Sequence, residues 1–300
     1  MKALPVIGVD VGGTKVLAAV VAPDGTVGRR EERPSDLASS EALLAEIDRA
    51  VEDLRSEQQV AALGFGLPSL IDQRRGRAVS SVNLPLQGVD FRDRMSERHG
   101  LPVAIDNDAN AAAIGEWRAG AARGAQNVVM LTLGTGVGGG LIVDGRPCRG
   151  ATGAAAELGH VVVEYDGPLC PCGGRGHLEA FASGTAADAV ARRLFGSGSD
   201  AHELVRRAVA GESEAVSALS EIGRRLGAAI GSFVNTFEPE LIVIGGGFAA
   251  AGELLLAPAR EAAAREALPE LRGPMRIVPA ELGVDAGVVG AGMLAYEALG

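Results

Sequence analysis

The sequence holds only three cysteines in 300 residues, an odd and small number that argues against a disulfide-stapled scaffold. It has no run of basic residues. The formal net charge is -10 and the pI about 5.0, which excludes nucleic acid and anionic membrane surfaces as partners. No apolar run is long enough to span a bilayer, and the uncharged stretch Asn127–Val143 is dense in glycine and threonine and reads as a hairpin. The opening MKALPVIGVD carries one lysine and reaches Asp10 before an apolar signal core forms, so the expected compartment is a reducing cytoplasm. Apolar residues at 47% and charged residues at 22% are ordinary for a soluble globular chain. The length is comfortable for two domains.

What is present is an alternation of strands and helices. LPVIGVDV and KVLAAVVA read as strands around Gly12 and Gly13, with VGRREERP as a third. Leu43, Leu44, Ile47, Val51 and Leu54 recur at helical spacing. VAALGFG and LPVAID read as buried strands, Asp108–Trp117 as an alanine-rich helix, and Phe181–Leu194 and Ala215–Phe237 as longer helices. A strand LIVIGGG, a helix over about 252–268, a strand MRIVPAEL and a closing helix to Leu299 complete the pattern. His99 and His202 lie on charged helical stretches and are expected in solvent, and Cys148 reads as a small residue after a hairpin.

One unit occurs twice. VIGVDVGGTKVLAAVVAPDG (6–25) and VVMLTLGTGVGGGLIVDG (128–145) each run strand, glycine–threonine turn, strand, Asp-Gly. Aligned on the turns, Asp10 faces Thr132 and Gly12 faces Gly134. Glycine lets backbone N–H groups converge on an anion, and threonine adds a hydroxyl donor. Two such loops suit a polyphosphate gripped from both sides; two ordinary hairpins are the alternative. The pattern is neither a Walker loop nor a dinucleotide fingerprint.

Soft ligands are concentrated in CPCGGRGHLE (170–179), with ELGH (157–160) ten residues ahead. His160, Cys170, Cys172 and His177 make a nitrogen–sulfur set of zinc-like composition. A Cys170–Cys172 disulfide would close a very small, strained ring, and the glycines beside the cysteines suit a metal knuckle better than a catalytic thiol. A plain turn that contains cysteines is the remaining alternative.

GVDVGGTK followed by LTLGTGVGGG resembles the paired phosphate hairpins of the actin-like ATPase fold, and most closely the ROK family of sugar kinases and sugar-responsive repressors. The resemblance runs from Gly8 to the glycine run at 245–247. It implies an α/β, two-lobed actin-like (ribonuclease H-like) fold with an interlobe cleft. The small lobe would comprise residues 1–112 plus 286–300 with the first hairpin. The large lobe would comprise 113–285 with the second hairpin, the zinc motif and an adenosine loop. Mg-ATP is the implied donor. Asp10, at the edge of the first hairpin, is the natural group to hold Mg²⁺. Gly12, Gly13, Thr14, Gly134, Thr135 and Gly136 would grip phosphates, and Gly246 and Gly247 would border the adenosine.

DNDAN (106–110) falls where a buried strand ends and a helix begins. Asp and Asn are ordinary helix caps there, but active residues of open α/β sheets also gather beyond strand C-termini. In the family this motif supplies the catalytic aspartate, which matches Asp108, and a residue on the sugar hydroxyls, which matches Asn107. An unperturbed carboxylate is ionised at neutral pH and can accept the sugar proton late in phosphoryl transfer. GFGLPS (64–69) and NLP (83–85) resemble loops that close over the sugar, with Asn83 in support. Ser69 stands where the family usually has glycine, and Leu86 near a position that is often aromatic.

The cysteine segment resembles the family's zinc motif, a histidine followed by C-x-C-G-x-x-G-C-x-E, with His177 in place of the third cysteine. The resemblance implies a structural zinc on His160, Cys170, Cys172 and His177. It also implies that His160 links metal to sugar, with Glu157 and Glu179 accepting bonds from sugar hydroxyls. The implied activity is ATP-dependent phosphorylation of a hexose at the 6-hydroxyl, with glucose first and N-acetylhexosamine, mannose or fructose as alternatives. Polyphosphate is an alternative donor. A non-catalytic sugar-sensing member is the competing class, disfavoured because the first hairpin begins at Gly8 with no room ahead for a winged helix-turn-helix. The family also implies a homodimer or homotetramer.

Overall fold

The computed structural model describes residues 4–81, 83–273 and 275–299. The expected lobes also take in residues 1–3, 82, 274 and 300, which lie outside the described residues. The chain forms two compact units: Met1–Gly124, Gly140–Ala156 and Glu281–Gly300 make the first, Ala125–Gly139 and Glu157–Ala280 the second.

The first unit begins with β1 (Val6–Val11), β2 (Lys15–Val21), β3 (Val27–Pro34), α1 (Ser40–Arg55), β4 (Leu63–Leu67), β5 (Leu70–Asp72), β6 (Arg77–Ser80), α2 (Phe91–His99), β7 (Val103–Asn107) and α3 (Asp108–Ala119). Next come β8 (Val128–Leu133), β9 (Val137–Val143), β10 (Arg146–Pro147), α4 (Glu179–Ala182) and α5 (Gly184–Phe195). Then follow α6 (Ala201–Val209), α7 (Ser213–Phe237), β11 (Leu241–Gly245), α8 (Glu253–Glu266), β12 (Ile277–Pro279) and α9 (Ala286–Glu297). A divide at residue 112 would cut α3, which the structure keeps whole in the first unit, together with 140–156 and the returning α9.

Among the described residues one sheet has the order β3-β2-β1-β4-β7 and a second the order β10-β9-β8-β11-β12. β1 pairs antiparallel with β2 and parallel with β4, and β4 runs parallel to β7. β11 runs parallel to both β8 and β12. β4 and β11 are buried along their length, as strands with parallel neighbours and covered faces require.

α1 brings its predicted apolar stripe to the core of the first sheet, where Leu43, Leu44, Ile47 and Val51 are fully buried. α9 (AGVVGAGMLAYE) is buried from Ala286 to Ala295. It approaches the sheet closely through glycine: a Cβ at Gly64 would stand 1.7 Å from the Ala291 carbonyl oxygen, and one at Gly8 2.0 Å from that of Val288. No helix among the described residues is long and apolar enough to cross a membrane.

The structure also departs from the sequence reading at three local features. The helix expected over Phe181–Leu194 breaks at Ser183, whose hydroxyl accepts the Ala186 N–H (3.0 Å) and starts α5 afresh. The strand expected in MRIVPAEL is confined to Ile277–Pro279. His99 is buried rather than solvated, with Nε2 3.0 Å from Asp48 Oδ1. The charges of α2 answer those of α1: Arg94 pairs with Glu41, and Arg98 with Glu41 and Asp48. Burial works to raise the Asp48 pKa, but the bonds from His99 and Arg98 outweigh it and the net direction is down. His202 is exposed, as expected.

Candidate active site

In the first unit the β1–β2 turn is Gly12–Thr14, closed by the Gly12 N–H donating to Lys15 O (2.8 Å). Ser35 Oγ donates to the Gly12 carbonyl (2.6 Å) and holds the turn from behind. A Cβ at Gly13 would meet Asn83 Cβ at 3.8 Å, so the exposed Asn83 lies beside this turn.

β7 ends at Asn107, whose side-chain oxygen accepts the N–H groups of Ala109 (2.9 Å) and Asn110 (3.2 Å) and caps α3. Asp108 is therefore the first residue of the helix. The Asn107 Nδ2 reaches the Ser69 carbonyl at 3.4 Å. Ser69 is buried and its hydroxyl has no partner among the described residues. Asp10, near the end of β1, and Asp108 flank the same glycine. A Cβ at Gly66 would lie 3.5 Å from Asp108 Cα and 3.8 Å from Asp10 Oδ1.

This crowding corrects the expectation of an unperturbed base. Burial raises the Asp108 pKa above the usual aspartate value, against the lowering effect of the Ala109 N–H bond, even though some of the residue's surface stays accessible. Burial first, and the charge of Asp108 second, push Asp10 up to about 7, with Lys15 working the other way. Between about pH 4 and pH 7 the metal-free folded protein thus binds a proton at Asp10 that the unfolded chain has released, so stability falls as pH rises through that window. The fall is at most about 4 kcal/mol. In EDTA, the denaturant midpoint of the wild type is expected to drop from pH 4.5 to pH 7.5 by clearly more than that of Asp10→Asn; parallel curves would remove Asp10 as the cause.

Two buried carboxylates near this point escaped the sequence reading. Asp106 is fully buried and accepts from Arg149 Nε (2.6 Å), Asn110 Nδ2 (3.2 Å) and the Asn107 N–H (2.8 Å). Glu116, also fully buried, accepts the N–H groups of Ala121 (2.8 Å), Glu281 (3.1 Å) and Leu282 (2.8 Å). It ties the end of α3 to the segment that leads into α9. Paired in this way, buried carboxylates fix backbone rather than do chemistry.

In the second unit the β8–β9 turn is Gly134–Gly136, the same length as its counterpart, closed by the Gly134 N–H donating to Gly136 O (2.9 Å). The start of α5 holds it: the Gly184 N–H donates to Gly134 O (2.7 Å) and Thr185 Oγ1 to Thr135 O (2.8 Å). Gly246 has φ +85°, and a Cβ there would stand 2.4 Å from the Leu133 carbonyl oxygen, so only glycine fits. A cavity of about 430 Å³ brings Gly134 and Thr135 together with Gly247. Its walls include Asp188, Val205 and Phe248, which sequence reading missed.

The soft-ligand set assembles in the same unit. One ligand atom from each of His160, Cys170, Cys172 and His177 lies within 4.8 Å of all the others. Cys172 Sγ is 3.1 Å from His177 Nδ1, and Cys170 Sγ 3.8 Å from His160 Nδ1. A tetrahedral zinc shell has ligand–ligand edges of about 3.3–3.8 Å, so two sulfurs and two nitrogens are gathered at nearly that spacing. Burial pushes the Cys170 thiol up to about 12, and the Glu179 charge adds to the rise.

Around the set, His160 Nε2 lies 3.8 Å from Glu157 Oε2. Glu179 Oε2 accepts the Val137 N–H (2.9 Å), and its Oε1 faces Cys170 Sγ at 3.5 Å. Glu179 thus fixes the first residue of β9 against the ligand set. Just ahead of Glu157, Ala156 adopts φ +69°, a conformation that a residue with a Cβ rarely takes.

The sequence profile of the ROK family matches residues 6–298. A glucokinase from Thermotoga maritima is 36% identical, covering 100% of both chains. The crystal structure of a ROK family glucokinase from Streptomyces griseus in complex with glucose and AMPPNP superposes with a TM-score of 0.87 at 35% identity, covering 98% of this chain and 99% of that one. A ROK hexokinase from Thermus thermophilus gives a TM-score of 0.87 at 35% identity, covering 99% of each. With its repeated glycine hairpins and the alternating α/β fold of an actin-like ATPase, the chain belongs to the ROK family.

Proposed function

We propose that this protein transfers the terminal phosphoryl group of ATP to the 6-hydroxyl of glucose. The observation that carries the reading is the acid pair at Asp10 and Asp108, set beside a three-residue glycine turn that recurs at Gly134–Gly136. The glucokinase relatives, at 35–36% identity over nearly the whole chain, direct the choice of sugar.

Phosphoryl transfer demands positioning and charge stabilisation more than covalent help. Asp108, fixed as the first residue of α3, would orient the 6-hydroxyl and accept its proton. The Asn107 oxygen is engaged in capping, so Nδ2 is the atom it would offer to a sugar hydroxyl. Glu157, His160 and Glu179 would take other hydroxyls, with Asn83 in support. Gly12, Gly13, Thr14, Gly134, Thr135 and Gly136 would receive phosphate oxygens on backbone N–H groups and the threonine hydroxyls. Gly246 and Gly247 would border the adenosine. Mg²⁺ arriving with the nucleotide would offset phosphate charge, and the crowded Asp10 carboxylate fits a cation partner.

His160, Cys170, Cys172 and His177 would hold a structural zinc, whose chemistry is to cross-link the 157–179 loop with no position open for water. Each histidine nitrogen near a sulfur is Nδ1, which leaves His160 Nε2 to meet Glu157 or a sugar hydroxyl. Metal analysis of the purified protein should return about one zinc per chain, lost in Cys170→Ala; a metal-free, fully folded wild type would sink the zinc assignment. We read the protein as a cytoplasmic homodimer or homotetramer, which light scattering would decide against if it returned a monomer.

The test of the activity is ADP formation from Mg-ATP with and without glucose. Turnover that requires glucose and yields a 6-phosphate supports the reading. Turnover only with N-acetylhexosamine, mannose or fructose would move the substrate, and turnover only with polyphosphate would move the donor. Binding without turnover would make the protein a sensor.

A further inference from the structure

The cavity in the second unit has one acidic lining residue, Asp188. A carboxylate is out of place in a pocket meant only for a polyanion. Its Oδ1 accepts the Ala201 N–H at 2.7 Å and thereby joins α5 to the first residue of α6. The residue is only partly buried, and it lines the cavity.

Position along α5 orders the chemistry. Thr185 is bonded to the Thr135 carbonyl of the glycine turn, which places the start of α5 at the end of the cavity where phosphates would lie. Asp188 follows three residues later, about 4.5 Å further along the helix axis. Moving the same way along a nucleotide leads from the polyphosphate to the ribose, whose two hydroxyls are hydrogen-bond donors that a carboxylate accepts well. Acidic side chains hold ribose hydroxyls in other nucleotide sites by this chemistry. Val205, Phe248 and Ala251 supply an apolar wall for a base.

We propose that Asp188 is a nucleotide-specificity residue that reads one hydroxyl of the phosphoryl donor's ribose through Oδ2, while Oδ1 fixes the α5–α6 junction. The assignment rests on the ATP-dependent kinase reading above and deepens it. It makes a ribonucleoside triphosphate, rather than a bare polyphosphate chain, the donor that the cavity selects.

The experiment compares the wild type with Asp188→Asn, using ATP, 2′-deoxy-ATP and 3′-deoxy-ATP at saturating glucose. The asparagine keeps an oxygen for the Ala201 N–H, so the helix junction should survive, and an unchanged melting temperature checks this. The wild type should show a KM about tenfold higher for the deoxy analogue that lacks the hydroxyl read by Asp188. The variant should raise KM for ATP about tenfold, with much less change in kcat, and should leave KM for that analogue unchanged. Equal KM changes for all three nucleotides, or no change with ATP, would overturn the assignment. Failure of the kinase reading looks different, because the wild type would then show no glucose-dependent ADP formation. In that case calorimetric binding of the same three nucleotides decides. Discrimination abolished by Asp188→Asn upholds the ribose contact, and equal or absent binding rejects it.

Discussion

Asp108→Asn is expected to lower kcat by about 10³-fold, with KM for glucose and for ATP changed only a few-fold. The substitution keeps the shape of the side chain and an oxygen to accept the Ala109 N–H, which Asp108 Oδ1 now does at 2.9 Å. It removes the group that would receive the sugar proton. It also removes the negative charge that helps push Asp10 up to about 7. The variant should therefore fold at least as stably as the wild type at neutral pH while being nearly inactive. That combination separates a lost base from a damaged fold. A fall in kcat smaller than tenfold would take the base role away from Asp108. The raised pKa of Asp108 adds a second signature. A base must be ionised, so the wild-type rate should be full above its pKa and fall as pH drops through it. The acid limb should therefore begin at a higher pH than an ordinary aspartate would give.

The second large effect is structural. Gly290 of α9 and Gly115 of α3 face each other's backbones: a Cβ at Gly290 would stand 1.6 Å from the Ala111 carbonyl oxygen, and one at Gly115 2.4 Å from that of Ala286. A methyl group at 290 has no flexible side chain to displace. It must push α3 and α9 apart, and α9 is buried along most of its length. Gly290→Ala should cost about 3 kcal/mol or more. Gly198→Ala is the control, since a Cβ there meets nothing within 4 Å and the backbone is not left-handed. Denaturant midpoints of the two variants measure the difference. A Gly290→Ala protein as stable as the control would mean that the helices cross less closely than described. Because α3 begins at Asp108, a tolerated Gly290→Ala should still depress kcat by tilting the base.

The features legible in the sequence were those whose signal is local. Gly12–Thr14 and Gly134–Gly136 could be recognised because the strand, turn and strand around each are repeated in one continuous stretch. The N-cap at Asn107 and the stripe Leu43–Leu44–Ile47–Val51 are likewise written within a few residues. What stayed hidden depends on partners far away in sequence. His99 looked solvated because its neighbours are charged, yet those charges are matched by Glu41 and Asp48 on α1. Nothing in the alanine-rich helix around Glu116 marks it out, because two of the N–H groups that it accepts come from residues 281 and 282, far along the chain. Asp188 sits on a helix among alanines, and nothing in its own segment announces the cavity that it lines. The divide at 112 failed for a related reason, since the helix that starts with Asp108 is held by the far end of the chain.

That far end has a consequence for the nascent protein. β1, β4 and α3 leave the ribosome early, but the backbone grooves at Gly8, Gly64 and Gly115 are filled only by α9, whose residues come 286 to 297. The first unit therefore cannot reach its final packing while the second is being translated, contrary to the usual N-terminal-first order. Synthesis halted before residue 286 would release a chain whose α3, the helix that opens on Asp108, has no floor, and quality control would meet it as an open sheet rather than as a truncated enzyme.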